Sequence, residues 1–151
     1  MHEAQILWEC DGDFAANQYS RGHIWRFDGG VEVAGSASPS VVPLPYSVEA
    51  AVDPEEAFIA ALSSCHMLWF LDLSRRAGFV PRTYEDRATG ALVKDGGKMW
   101  IPRVDLNIRV GWDIPPDAAT HRALHDRAHH ACFIANSVRS EIVINLLEDI
   151  T

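Results

Sequence analysis

The chain has 151 residues, 48% of them hydrophobic and 23% charged, and a formal net charge of -8. That length suits a single domain spanning 1–151 with its own core. The acidic balance speaks against nucleic acid or an anionic membrane as partner, since both select clustered Lys and Arg.

The start, "MHEAQILWECDG", carries no signal-peptide pattern. The apolar stretch from Ala57 to Leu71 is interrupted by Ser63, Ser64 and His66 and falls short of a bilayer span. A cytoplasmic location is therefore expected. Its reducing conditions disfavour standing disulfides among Cys10, Cys65 and Cys132. No CxxC pair offers a zinc ribbon or a thioredoxin motif.

In chain order, "AQILWEC" reads as a strand holding Cys10, and "RGHIWRFDGGVEVAG" as a hairpin turning at Asp28-Gly29-Gly30. Three prolines and no amphipathic period make Ser36 to Ala51 a long loop. Asp53 then caps a helix, with Pro54 at its first position and Glu56 completing a capping box. Arg75 and Arg76 suit its negative end, and Gly78 ends it. Apolar residues on nearly every side predict a buried central helix.

"TYEDRATGALV" and "KMWIPRVDLNIRVGW" form an antiparallel pair turning around Lys94 to Lys98, and Pro115-Pro116 breaks the chain. A second helix follows, amphipathic through Ala119, Leu124, Ala128 and Ala131, then a short turn in "CFIANSV" and a closing strand, "EIVINLLE". The fold class is α+β.

Cys65 sits deep in the first helix, collared by Ala61, Leu62, Leu68 and Trp69 at three and four residues. Such a collar disfavours a thiolate, so the sulfur is either packing or is activated by an imported cation. His121, His125 and His129 share one face of the second helix. Without a carboxylate or CxxC to complete a ligand set, that stripe reads as solvated surface rather than zinc site, and no metal or other cofactor is expected.

"DPEEAFIAALSSC" and "AHHACFIANSV" together resemble the OsmC/Ohr family of thiol-dependent organic hydroperoxide reductases. The shared pattern is an Asp-Pro-Glu opening a central helix, a cysteine ten residues after that Glu, and a second cysteine followed by Asn136-Ser137. The resemblance spans essentially the whole chain. It implies an OsmC-like fold, antiparallel sheets packed on a long central helix in an intertwined homodimer. It makes Cys65 the peroxidatic and Cys132 the resolving cysteine, and Glu55 the carboxylate that orients an activating arginine. Arg21 is preferred for that arginine over Arg26. His66 after the cysteine and "FIA" after Cys132 depart from the reductase pattern. The implied reductant is a dithiol, lipoyl-type or small.

Leu62, Leu68, Trp69 and Phe133 would favour an organic peroxide over hydrogen peroxide. The alternative on the same fold is a module that binds a small hydrophobic ligand, with the thiols as packing. Helix geometry adds an expectation of its own. Glu55 and Cys65 stand roughly 15 Å apart along a straight helix, so a shared site needs either a second copy of the chain or a break in the helix.

Overall fold

Asp28-Gly29-Gly30 turns the chain as its sequence predicts, with Gly30 at φ 88° and the Phe27 amide donating to Val31 O at 3.0 Å. This computed structural model describes residues 1–148 and forms two compact units, one over 1–58 and one from residue 59 onward. In the first, β1 (Ala4–Leu7), β4 (His23–Phe27) and β5 (Glu32–Gly35) make an antiparallel sheet in the order β1-β4-β5. Between β1 and β4, β2 (Gly12–Asp13) pairs with β3 (Gln18–Tyr19). Cys10 lies beyond β1 rather than in a strand and is exposed. The 36–51 loop is pinned at Ser36, whose buried hydroxyl accepts from the Val48 amide at 2.9 Å.

The first helix, α1 (Pro54–Arg76), starts in this unit and continues unbroken into the second. Its capping box is complete, with Glu56 N donating to Asp53 Oδ1 at 2.8 Å and Asp53 N to Glu56 Oε2 at 3.0 Å. At its end Gly78 takes φ 84° and Phe79 N bonds Ser74 O. Arg75 and Arg76 also both pair with Asp72.

Burial on α1 differs from the expected all-round pattern. Leu62, His66, Phe70, Leu73 and Ser74 form one buried stripe, while Leu68 is 61% exposed. Within a single chain the helix has an uncovered apolar side. By length and composition α1 is long enough and apolar enough to cross a bilayer, contrary to the sequence expectation. The packed stripe, with Phe70 against Tyr84 and Trp112, is what a core helix has.

In the second unit, β6 (Val80–Asp86), β7 (Thr89–Gly90), β8 (Val93–Asp95), β9 (Lys98–Trp100) and β10 (Arg103–Ile114) precede α2 (Ala118–Ala131), a 3-10 turn (Ala135–Ser137) and β11 (Glu141–Leu146). Strand β10 is central. Its inward residues Val104, Leu106, Ile108 and Val110 are buried at the two-residue period of a half-covered strand. Strand β6 lies antiparallel on one side, and β8 and β9 turn through Gly96-Gly97. On the other side β11 runs parallel to β10, from Arg103↔Glu141 to Ile108↔Leu146. A parallel pair needs a crossover, and α2 supplies it.

Helix α2 begins at Asp117, whose Oδ1 accepts from Thr120 N at 2.7 Å just past Pro115-Pro116. Its buried face is Leu124, His125 and Ala128. Ala119, expected on that face, is exposed.

Candidate active site

Helix α2 ends one residue before Cys132. There the backbone turns extended (ψ 115°) while the Cys132 amide still donates to Ala128 O. This places Cys132 at the helix end with a side chain only 1% exposed. Near it on α1 stands Cys65, half-buried, and both thiols are free. Burial, then the neighbouring Cys65, pushes the Cys132 thiol up to about 11 against the opposing hydrogen bond from Ala135 N. A charge on Cys132 is thus disfavoured, while Cys65 is open to solvent on one side.

The expected pocket residues divide. Trp69 on α1 and Phe133, just past the end of α2, meet edge to face at 5.4 Å between ring centroids. Leu62 belongs to the core, and Leu68 and Phe133 are exposed.

Arg21 and Glu55 belong to the first unit. Arg21 precedes β4, bonds Tyr19 O and Asn17 Oδ1 at 2.6 Å each, and lies over the Tyr19 ring at 3.6 Å. It faces a cavity of about 410 Å³ walled by Trp8, Phe14, Tyr19 and His23. Arg26 is engaged on the strand surface by Glu32 at 2.6 Å and by Gln5. Glu55 holds Oε2 out of solvent with no hydrogen-bond partner among the described residues. The expected Glu55–Arg21 pairing is absent among the described residues of this unit. A buried, unpartnered carboxylate oxygen is costly and calls for a cation.

The histidines overturn an expectation. Instead of a solvated stripe, His125 is fully buried and His121 half-buried. His66 Nε2 lies 2.9 Å from His125 Nδ1, and His125 Nε2 lies 3.2 Å from His121 Nε2. Phe70 stacks on His125 at 4.0 Å. Burial drives His66 down to about 4 and His125 to about 2, so both stay neutral. The missed signal was position: His66 shares a helix face with Leu62 and Phe70, and His125 lies beside Leu124 and Ala128. Among the described residues no three His, Cys, Asp or Glu side chains are arranged to hold a metal ion.

Over residues 47–147 the sequence matches the family of OsmC-like proteins. The chain belongs to that family. An OsmC-like protein of unknown function from Vibrio cholerae is 45% identical, covers 97% of this chain and 99% of its own, and superposes with a TM-score of 0.95. The organic hydroperoxide resistance protein OhrB of Bacillus subtilis shares the fold at 18% identity and a TM-score of 0.64, over 96% of this chain and 98% of its own. An organic hydroperoxide resistance protein from Legionella pneumophila does so at 16% and 0.68, over 97% and 94%. Curated proteins gave no sequence match. The OsmC fold is thus shared by proteins named for hydroperoxide resistance.

Proposed function

We propose that this single OsmC-like domain is a cytoplasmic, thiol-dependent peroxidase that reduces organic hydroperoxides. The observation that carries the reading is the pair of neighbouring free thiols, one half-buried on α1 and one fully buried just past the end of α2. That asymmetry supports a division of roles. The accessible sulfur, Cys65, attacks the terminal peroxide oxygen. The O–O bond breaks, an alcohol leaves after protonation, and Cys65 becomes a sulfenic acid. Cys132, kept as a thiol by burial, then condenses with it, releasing water and forming a disulfide. A dithiol of lipoyl or small type returns both to thiols.

Activation needs a cation near Cys65, and Arg21 is the candidate, because Arg26 is held by Glu32. Glu55, with its unpartnered buried oxygen, is the carboxylate to orient it. Glu55 and Cys65 lie ten positions apart on the unbroken helix, roughly 15 Å. A site that uses both is therefore built from two copies of the chain. The uncovered apolar side of α1 around Leu68 supports the same assembly.

The test is consumption of cumene hydroperoxide with a dithiol as reductant. Wild type should turn over, and faster than with hydrogen peroxide, while Cys65→Ser should lose activity because a hydroxyl is a far weaker nucleophile than a thiolate. Equal turnover in Cys65→Ser would refute the assignment. A second reading, a binder of small hydrophobic ligands, is favoured by the aromatic-walled cavity beside Arg21. It predicts ligand uptake by both proteins and peroxide consumption by neither.

A further inference from the structure

The cavity beside Arg21 has a histidine in its wall, His23, that the peroxidase chemistry above does not use. His23 and Trp25 stand two apart on β4, so both side chains rise from one face of the sheet. Trp25 Nε1 donates to His23 Nε2 at 2.7 Å. The other ring nitrogen, Nδ1, lies 2.7 Å from the backbone oxygen of Arg21.

These two neighbours fix the tautomer. An indole N–H only donates, and a carbonyl oxygen only accepts. His23 therefore carries its proton on Nδ1, donating to Arg21 O, and keeps the lone pair on Nε2 that accepts from Trp25. Both ring nitrogens are thereby engaged. Toward the cavity the ring offers neither donor nor acceptor, so it has no acid or base role on a bound peroxide.

The neighbouring strand is shaped for this pair. Gly35 of β5 lies opposite His23. A Cβ at residue 35 would run into Trp25 Nε1 and lie 2.6 Å from His23 Nε2. Only a bare backbone at that position lets the two rings meet across it.

Arg21 needs such a hold because it lies between β3 and β4, outside either strand. Its amide donates to Tyr46 O at 2.8 Å, and its carbonyl accepts from His23. The backbone of residue 21 is thus tied on both sides, to the 36–51 loop and to β4. The guanidinium is held separately, by Tyr19 O, Asn17 Oδ1 and the face of the Tyr19 ring. His23 sets the point from which the side chain reaches, and the β2–β3 hairpin sets its direction.

We propose that His23, locked in one tautomer by Trp25, is the positioning residue for Arg21 and fixes the backbone from which the guanidinium reaches the reacting peroxide. The role rests on the peroxidase reading. As Cys65 attacks and the O–O bond breaks, negative charge develops on the leaving oxygen, and a guanidinium stabilises it only from the correct place. Misplacing a catalytic group by about 1 Å can cost roughly a hundredfold in rate. Closure of the disulfide by Cys132 asks nothing of Arg21, so the two chemical steps should respond differently.

The experiment is rapid-quench mass spectrometry after a pulse of cumene hydroperoxide, timing oxidation of Cys65 and closure of the Cys65–Cys132 disulfide separately. His23→Phe keeps a ring beside Trp25 and removes both hydrogen bonds. It should slow Cys65 oxidation roughly tenfold or more and leave disulfide closure at the wild-type rate, a split that a packing defect would not give. His23→Asn, whose amide nitrogen can stand where Nδ1 stood, should recover most of the loss. In an Arg21→Ala background His23→Phe should slow oxidation no further, because its effect passes through Arg21. Nitrogen NMR of the resting wild type should find His23 protonated on Nδ1 alone, a readout independent of activity. Additive losses from His23→Phe and Arg21→Ala, equal slowing of both steps, or a proton on His23 Nε2 would overturn the positioning role. An Arg21→Ala protein that oxidises at the wild-type rate, or a wild type that consumes no peroxide, would instead remove the reading beneath it, and the role with it.

Discussion

At the scale of single residues, the site is defined by a difference between two like groups. Cys65 and Cys132 are neighbouring free thiols, but burial pushes Cys132 up to about 11 while Cys65 keeps an open side. A nucleophile needs access, and a resolving thiol needs only its partner. Cys132→Ser should therefore still react once with peroxide. With no internal thiol to trap it, the Cys65 sulfenic acid would climb to sulfinic acid in excess peroxide, adding two oxygens by mass spectrometry. The same variant stopping at an unreacted thiol would show that the roles are reversed. Both cysteines stand out in the sequence because each sits in a spaced motif. No pattern around Arg21 or Arg26 reports that Arg26 is held by Glu32. Cys10 was misplaced, because the apolar run that suggested a strand ends in regular pairing at Leu7.

Helix α1 was readable in detail because its boundaries are set by local chemistry. Asp53, Pro54 and Glu56 fix its start within one turn, and Gly78 supplies the left-handed residue at its end. The partner of β11 was not readable, because a parallel pairing is decided by the α2 crossover and not by the strand's own residues. The histidine stripe on α2 failed for a related reason. Composition marks a helix as polar, but only the opposing helix decides that His125 goes inward, onto Phe70 and His66.

That contact makes a prediction about pH. The folded values of His66 and His125, about 4 and about 2, lie below the ordinary 6.5. Below pH ~6.5 the unfolded chain binds protons that the folded chain refuses. Stability should be unaffected by these groups above that pH. It should fall as pH drops toward 4 for His66, and further for His125. Denaturant midpoints at pH 7 and 5 should show a loss in wild type that is smaller in His125→Phe. An equal loss in both would contradict the burial of these rings as neutral groups.

For the whole molecule, the sequence predicted a helix buried all round, and the single chain covers only one stripe of it. These are compatible if a second copy covers the side around Leu68, which is 61% exposed. Leaving that much of a 23-residue apolar helix in water is unfavourable. Sedimentation at micromolar concentration should give twice 16.8 kDa. Leu68→Glu should shift the mass to one chain and reduce peroxide turnover, because Glu55 and Arg21 would no longer reach a partner's thiol. A stable single-chain mass in active wild type would remove the two-copy site.

The central claim is that the half-buried and buried thiols form one redox pair. Its most direct measurement is peptide mapping of wild-type protein after one equivalent of cumene hydroperoxide, with free thiols alkylated beforehand in a control. The account predicts a Cys65–Cys132 disulfide, absent from the untreated and pre-alkylated samples, with the exposed Cys10 still reduced. A disulfide that uses Cys10, or two thiols left intact at 65 and 132 while peroxide is consumed, would contradict it.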